Sequence, residues 1–590
     1  MRAIALCVLC LAGCAASVAP PEPRLPLQPE SASGWTPKPG WTSRHFMVAT
    51  AHPLATDAGY EILRAGGSAL DAAIAVQMVL TLVEPDASGI GGGAFLVHWD
   101  GAAVQTWDGR ETAPAGVDAK LFVGPDGQPM AFAQAKLGGR AVATPGVLKM
   151  LQAAHRQHGR LPWSRLFEPA IALAEGGFPL GARLHRLLQE DDALKRDARA
   201  RAYFFDAQGQ AHPVGHLLRN PALAAVMRSL AAQGSEAFYR GPMAAELVQR
   251  VQADAAPGAL SQADLAAYVP RQREAMCTLW LSVYRVCGMP PPSSGHLAVM
   301  QILGMLERVP GALGSTRDAD GLHAYAEASR LAFADRAQYV ADPDFVAAPG
   351  ASWASLLEAG YLDERAALIG TQAMKAAPAG QPPGGQRSAW APMPPQPEHG
   401  TSHISVVDAQ GQAVAMTTSI EAVFGAHVMV DGGTGLAGGY LLNNQMTDFS
   451  FAPTDVQGRP VANRVQPGKR PRSSMSPTLV FDARDGRLLM TLGSPGGPFI
   501  IHYVAKTLLG TLAWSLDPQR AIDLPNVGLA SGPLLLEPGA FSATTIDGLR
   551  QRGHRVVEAE LPSGLQAIQR AASGWRGGAD PRREGTALGD

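Results

Sequence analysis

A Pro- and Gly-rich segment that suits neither a helix nor an inner strand runs straight into a strongly patterned hairpin, and the join falls at Gly400–Thr401. Residues 375–397 read KAAPAGQPPGGQRSAWAPMPPQP, dense in residues that break helices and ladders. From Ser402 to Asp408, small or polar residues alternate with apolar ones, the period of a strand. Ala409-Gln410-Gly411-Gln412 is a turn signal and Ala413 to Ile420 reads as the returning strand, so a hairpin is predicted here. Thr401 therefore stands where a loose segment meets the first residue of a buried strand. A cut of the Gly400–Thr401 bond would leave a free amine beside the Thr401 hydroxyl. With a pKa of roughly 7.7–8.0, such an amine can serve as base for that hydroxyl near neutral pH. Taken alone, the stretch also fits a surface loop followed by an ordinary threonine.

The 590 residues allow about four domains or one large composite unit. Gly (65) and Pro (47) together stay below the roughly 25–30% that marks disorder, so the chain is globular but rich in loops. A net charge of -2 with no basic run argues against nucleic acid as a partner. Three of the five cysteines, Cys7, Cys10 and Cys14, fall in the first twenty residues. The N-terminus has one Arg and then an apolar run too short to span a bilayer, which reads as a secretion signal over residues 1–13. Leu11-Ala12-Gly13-Cys14 resembles the bacterial lipobox, in which the cysteine becomes the lipidated first residue. Residues 14–46 read as a Pro-rich tether. The expectation is an exported, periplasm-facing lipoprotein that meets the membrane through a lipid anchor only. Cys277 and Cys287 bracket a second hairpin pattern, CTLWLSVYRVC, and in an exported domain are most simply a disulfide.

Along the chain, Met47 to Ala51 reads as a strand and Leu54 to Ala65 as a helix stopped by Gly66-Gly67. Ser68 caps a second helix, ALDAAIAVQMVLTLV, which is apolar nearly all round and so buried on all sides. The run Ser88-Gly89-Ile90-Gly91-Gly92-Gly93 follows a helix and precedes a strand, the reverse of a dinucleotide-binding turn, and reads as backbone that passes close to something. Arg110, taken alone at the end of the strand beginning at Val104, reads as a solvated charge. Residues 145–340 are predicted mainly helical, with segments such as Val147–His158, Trp163–Glu175 and Gly321–Tyr339. His212 and His216 are separated by Pro213 and Gly215, and His399 and His403 lack a carboxylate at ligand spacing, so no metal is expected.

Residues 401–590 carry three dense polar patches: Asn443 to Asp448, Arg472 to Thr478, and Gly493-Ser494-Pro495-Gly496-Gly497. The last joins the strand Leu488–Leu492 to a helical run at Phe499–Leu512. A Gly-rich turn entering a helix offers backbone N–H groups that can hold an oxyanion.

Together these features resemble the γ-glutamyltranspeptidases (glutathione hydrolases) of the N-terminal nucleophile hydrolase superfamily, from about Met47 to Arg582. The resemblance rests on GGSALDAAIAV, GIGGGAF, DGRETAP, MPPPSSG, AEASRLAFADRAQYVADPDF, GTSHISVVD, LLNNQMTDFS, KRPRSSMSPT, GSPGG and ADPR in that order. It implies an α+β fold, an αββα sandwich with a mainly helical portion before the cut. It also implies self-cleavage into a large subunit (47–400, with 375–400 a flexible linker before the cut) and a small subunit (401–590) that stay packed together. Thr401 is then the nucleophile of both self-cleavage and catalysis. Arg110, Ser473 and Ser474 hold the α-carboxylate of the donor, and Gln445 and Asp448 its ammonium. Gly496 and Gly497 supply oxyanion N–H groups. Ser419 stands where the family often has Thr, and Glu421 where well-known members have Asn. The implied substrates are glutathione and other γ-glutamyl compounds, with water, amino acids or dipeptides as acceptors and no cofactor. Two alternatives stand beside this: an acylase for glutaryl-type amides on the same fold, and an uncleaved lipoprotein without catalysis. Residues 449–472 contain no Tyr or Trp to form an aromatic lid, which leaves the Gly-rich run 426–440 to cover the opening.

Overall fold

The computed structural model describes residues 31–385, 389–530 and 532–590. The expected signal sequence, Cys14 and the first part of the tether lie outside the described residues. Two seven-stranded antiparallel sheets stack face to face. One runs, in spatial order, Thr586–Gly589, Met47–Thr50, Ser402–Val407, Ala413–Ser419, Gly93–Trp99, Val104–Asp108 and Arg271–Glu274. The other runs Trp41–Ser43, Trp575–Ala579, Gln566–Arg570, Leu488–Gly493, Thr478–Asp482, Tyr284–Gly288 and Met276–Trp280. The predicted hairpin is thus present, in register from Ser402 opposite Thr418 to Val407 opposite Ala413, near the centre of its sheet.

Strand alternation sorts the side chains into three apolar layers. Met47, Ala49, Val97, Val407, Ala413 and Ala415 face the other sheet, meeting Leu479, Phe481 and Ile568. Val48, Leu96, Ile404, Val406 and Met416 point the opposite way, into a layer of helices that includes Pro53–Arg64 and Ala69–Val83. Val480, Met490 and Leu492 face a second helical layer built on Gly295–Arg308, Ala319–Tyr339 and Ile500–Leu508. The result is the αββα sandwich implied by the sequence.

The helix Ala69–Val83 is buried at every position, as its composition requires. Ser68 and Asp71 form a capping box at its start. Asp71 does more than cap: its Oδ2 also accepts from the backbone N–H of Arg160 at 2.9 Å and of Leu161 at 3.0 Å. The expected helix Trp163–Glu175 is divided into a 3-10 turn, Trp163–Phe167, and a helix, Glu168–Gly176. Pro169 lies in the first turn of the latter, where its missing N–H is not needed. Likewise Phe499–Leu512 is a helix Ile500–Leu508 followed by a wider π turn, Leu509–Ala513.

Residues 31–46, expected as the end of a tether, are docked. Ser33 and Thr36 donate backbone bonds to Arg582 and Pro581, the Arg582 guanidinium lies over Trp35, and Trp41–Ser43 pairs with Trp575–Gly577. The Pro-rich composition there reflects a segment laid along an existing surface rather than a free spacer. Cys277 and Cys287 oppose each other directly in their hairpin, with their sulfurs at bonding distance. Among the described residues, no helix is long and apolar enough to cross a membrane.

Because Asp71 satisfies three backbone donors from two segments, Asp71→Ala should destabilise the uncut chain by about 3 kcal/mol. Thermal unfolding of a Thr401→Ala parent with and without the change measures this; an unchanged midpoint would refute the role.

Candidate active site

Thr401 sits at the head of a central strand and is nearly inaccessible in the intact chain, at 2% exposure. The hairpin register places Ser419 opposite it, at the end of the neighbouring strand. The Ser419 hydroxyl donates to the Gly400 carbonyl at 2.6 Å and accepts from the Glu421 N–H at 2.8 Å. Gly400 has no room for a side chain, since a Cβ would collide with the Glu421 carbonyl. The glycine run 91–93 does approach other backbone closely. A Cβ on Gly91 would strike the Leu441 carbonyl, and one on Gly92 the Ser419 carbonyl. These glycines let the chain carrying Ser419 and the chain leading to Asn443 lie against the same strand end.

The patch Asn443 to Asp448 is held from within. Asn443 donates to the Gly91 and Ala143 carbonyls and accepts from the Ala143 and Gln445 N–H groups. The 3-10 turn Gln445–Asp448 then aims Gln445 and Asp448 at one point, with Gln445 Nε2 donating to Asp448 Oδ2 at 2.7 Å. Arg110, which alone reads as a surface charge, is buried. It pairs with Asp448 and donates to the Pro471 and Arg472 carbonyls at 3.2 and 3.1 Å. Ser473 is fixed by the MPPPSSG motif: its carbonyl accepts from both the N–H and the hydroxyl of Ser294, each at 2.7 Å.

These side chains meet around a cavity of about 20 Å³, lined by Arg110, Thr401, Ser419, Gln445, Asp448, Ser473, Ser474 and Gly497, with Glu398 and His399 closing it. Two expected members do not line it. Gly496 lies against the Tyr503 ring and is not part of the cavity wall, which Gly497 is. The Glu421 carboxyl turns away to Asn444 and Thr447. Burial, reinforced by the charge of Asp448, drives the Glu421 carboxyl well above its usual range. Asp448 is also raised by burial, against the pull of Arg110.

Sequence reasoning missed Glu398, Arg336 and Arg472. The Glu398 carboxylate accepts from Arg336 Nη2 at 2.6 and 2.9 Å and from the Ser474 hydroxyl at 2.5 Å, with Arg472 Nη2 at 3.5 Å. Burial pushes this carboxyl up, but Arg336, Arg472 and Ser474 outweigh it and hold it at about 2. The signal was in plain view, since Arg336 and Arg472 lie inside two of the motifs that carry the resemblance. The run Ala426 to Tyr440, expected over the opening, is spent elsewhere. His427 pairs with Asp191, the Met429 N–H donates to Asp197, and Asn220 grips Gly439 from both sides. Of groups that could hold a metal, His323, Glu327 and His554 come together. They are engaged with one another and with backbone, His323 with His554 at 2.7 Å and Gly370 O at 2.8 Å, Glu327 with Met374 N–H at 2.7 Å. None of the three lines the Thr401 cavity.

An αββα sandwich with a threonine heading a central strand is the architecture of the N-terminal nucleophile hydrolases. The Gamma-glutamyltranspeptidase family profile matches residues 55–590. The glutathione hydrolase proenzyme of Bacillus subtilis (strain 168) is 34% identical over 557 residues, covering 92% of this chain and 91% of that protein. The acylase ACY 1 proenzyme of Pseudomonas sp. (strain V22) is 35% identical over 541 residues, 90% of each. The crystal structure of a cephalosporin acylase from Bacillus halodurans superposes with a TM-score of 0.81 at 27% identity, covering 96% of this chain and 99% of that one. The chain belongs to the γ-glutamyltranspeptidase family and is an enzyme.

The native state holds the Glu421 proton more tightly than the unfolded chain does. Stability from this group is therefore lost as pH rises above the ordinary glutamate value of 4.5 toward the raised native value. Glu421→Gln removes that loss. In the Thr401→Ala background, the thermal midpoint of Glu421→Gln relative to its parent should climb as pH rises above 4.5. A difference that stays constant as pH rises would mean that the native state holds the Glu421 proton no more tightly than the unfolded chain does.

Proposed function

We propose that this chain is the precursor of a γ-glutamyl hydrolase and transferase that acts on glutathione and related γ-glutamyl amides through an ester on Thr401. The observation that carries the reading is the hydrogen bond from Ser419 to the Gly400 carbonyl, beside Thr401 and in one cavity with Arg110, Gln445, Asp448, Ser473 and Ser474. Self-cleavage begins when the Thr401 hydroxyl attacks the Gly400 carbonyl carbon. Ser419 stabilises the charge that develops on oxygen. Collapse breaks the C–N bond and leaves an ester, with the Thr401 amine free. Water hydrolyses the ester, giving a carboxyl-terminal Gly400 and an amino-terminal Thr401.

In turnover, that amine takes the hydroxyl proton as Thr401 attacks the γ-carbonyl, and the proton passes to the departing amine. The Gly497 N–H supports the oxyanion. Arg110, Ser473 and Ser474 receive the α-carboxylate, while Gln445 and Asp448 receive the ammonium. Arg110 and Asp448 pair with each other in the intact chain; a zwitterionic α-carbon offers each an opposite charge, so the donor replaces that pair without leaving either charge bare. The acyl group then goes to water or to an amino acid or dipeptide. The need for an ammonium partner at Asp448 and Gln445 favours a γ-glutamyl over a glutaryl acyl group, which has no ammonium.

Thr401→Ala should leave one full-length band on a denaturing gel and abolish glutathione hydrolysis. Ser419→Ala should slow cleavage by about 10²-fold. In the wild type, the small fragment should begin Thr-Ser-His-Ile. Two fragments from Thr401→Ala would refute the assignment.

The mature enzyme is further proposed to be exported, lipidated at Cys14 and bridged between Cys277 and Cys287. The short apolar leader and Leu-Ala-Gly-Cys support the first two, and the cross-strand geometry supports the third. Labelled palmitate should enter the wild type and not Cys14→Ala, and unreduced peptide maps should contain the linked cysteines. Equal labelling, or two free thiols, would remove the respective claim.

A further inference from the structure

Glu398 lies two residues before Gly400, and the proposed chemistry uses neither Arg336 nor Arg472, the two cations that hold it. Its carboxylate stands where two cavities meet. One is the small chamber at Thr401; the other is an outer cavity of about 260 Å³ lined in part by Arg336, Arg472, Phe333, Glu398 and Pro498. Pro498 follows Gly497, so a donor whose head occupies the inner chamber runs its leaving group past the oxyanion position into the outer one.

Ser474 cannot serve Glu398 and a donor carboxylate at once, so Glu398 must move off in the mature enzyme. Arg336 and Arg472 then lose their carboxylate. Both are largely buried, at 6% and 5% exposure, and close enough that Arg472 donates to the Arg336 carbonyl at 3.3 Å. Asp448, the other acid near Arg472, is already engaged by Arg110 and Gln445. Burial and the neighbouring Arg336 charge lower Arg472 to about 9, the mark of a cation short of counter-charge. Buried guanidinium groups without an anion are costly, and a carboxylate entering between them is bound strongly.

We propose that Arg336 and Arg472 form a subsite for a second carboxylate, carried by the leaving group or acceptor. The enzyme then favours γ-glutamyl amides whose far end is anionic, and Glu398 is the stand-in for that anion in the precursor. The proposal rests on the γ-glutamyl reading above.

The test compares γ-glutamyl-4-nitroanilide with its 3-carboxy derivative in fully cleaved enzyme. The ratio of kcat/KM, carboxylated over neutral, should fall by about tenfold in Arg472→Gln and recover in Arg472→Lys. An unchanged ratio overturns the proposal. So does an equal loss on both anilides, which would assign these cations to the donor head. Hydrolysis of neither anilide by the wild type would sink the γ-glutamyl reading alone. Calorimetric titration with 5-amino-2-nitrobenzoate, the free carboxylated leaving group, then decides the subsite. Binding that Arg472→Gln abolishes supports it, and equal or absent binding in both overturns it. Should Arg472→Gln fail to mature, the uncut Thr401→Ala chain serves. It should bind 5-amino-2-nitrobenzoate only after Glu398→Ala opens the subsite, and the same behaviour with and without Glu398 refutes the proposal.

Discussion

The register between Ser402–Val407 and Ala413–Ser419 is the constraint on which the site depends. A slip of one residue would turn Ile404, Val406, Val414 and Met416 out of the helical layer, so the buried face permits a single alignment. That alignment puts Ser419 beside Gly400. The glycines at 91–93 and 400 then bring the surrounding backbone close enough for the contact to form. Elementary packing thus sets a serine hydroxyl against one particular carbonyl, and the chemistry of that peptide bond follows from the sheet.

The second organising feature is charge in a water-poor space. Arg110, Arg336 and Arg472 face Asp448 and Glu398 within one connected region, the first four buried and the Glu398 side chain 12% exposed. Isolated charges could not stay ionised there, and the pairing shows how the cost is met. Asp448 is matched by Arg110, and Glu398 by two guanidiniums and a hydroxyl. Glu421, close to Asp448 and bonded to Asn444 and Thr447 rather than to a guanidinium, holds its proton more tightly than an ordinary glutamate. This arrangement suits a site meant to exchange internal ion pairs for those of a zwitterionic ligand.

Much of this was legible beforehand because local pattern and tertiary need agree. The hairpin, the capped helix after Ser68 and the close-passing glycines each follow from period, cap chemistry or missing Cβ atoms. Elsewhere the information is not local. Whether Arg110 is solvated depends on Asp448, 338 residues away in sequence, which no window around Arg110 contains. The aim of Glu421 depends on Asn444 and Thr447. The docking of residues 31–46 depends on strands near the other end of the chain. Gly496 shows the opposite difficulty, since a glycine in a rich turn reads as an oxyanion donor and as a turn residue equally well, and only its place against the Tyr503 ring, outside the cavity wall, separates the two.

What covers the cavity completes the picture. No aromatic lid rises from 449–472: Phe449 and Phe451 are buried, the latter stacked on Phe122, and Asn463 is tied to the Asp448 carbonyl. The roof is the segment that leads to Gly400. Met393 donates to Ala337, Gln396 reaches the Thr447 and Phe449 carbonyls, and Glu398 plugs the inner chamber. Beside the packing of Ala391 and Met393 on Val461, these are a few polar contacts on a Pro-rich segment that lacks a ladder of its own, held in place partly by covalent continuity through Gly400. Breaking that continuity removes the restraint at the end nearest Thr401. Under the proposed cleavage, one event therefore makes the nucleophile's amine and loosens the cover above it, and the intact chain stays closed to substrate until its own first reaction is done.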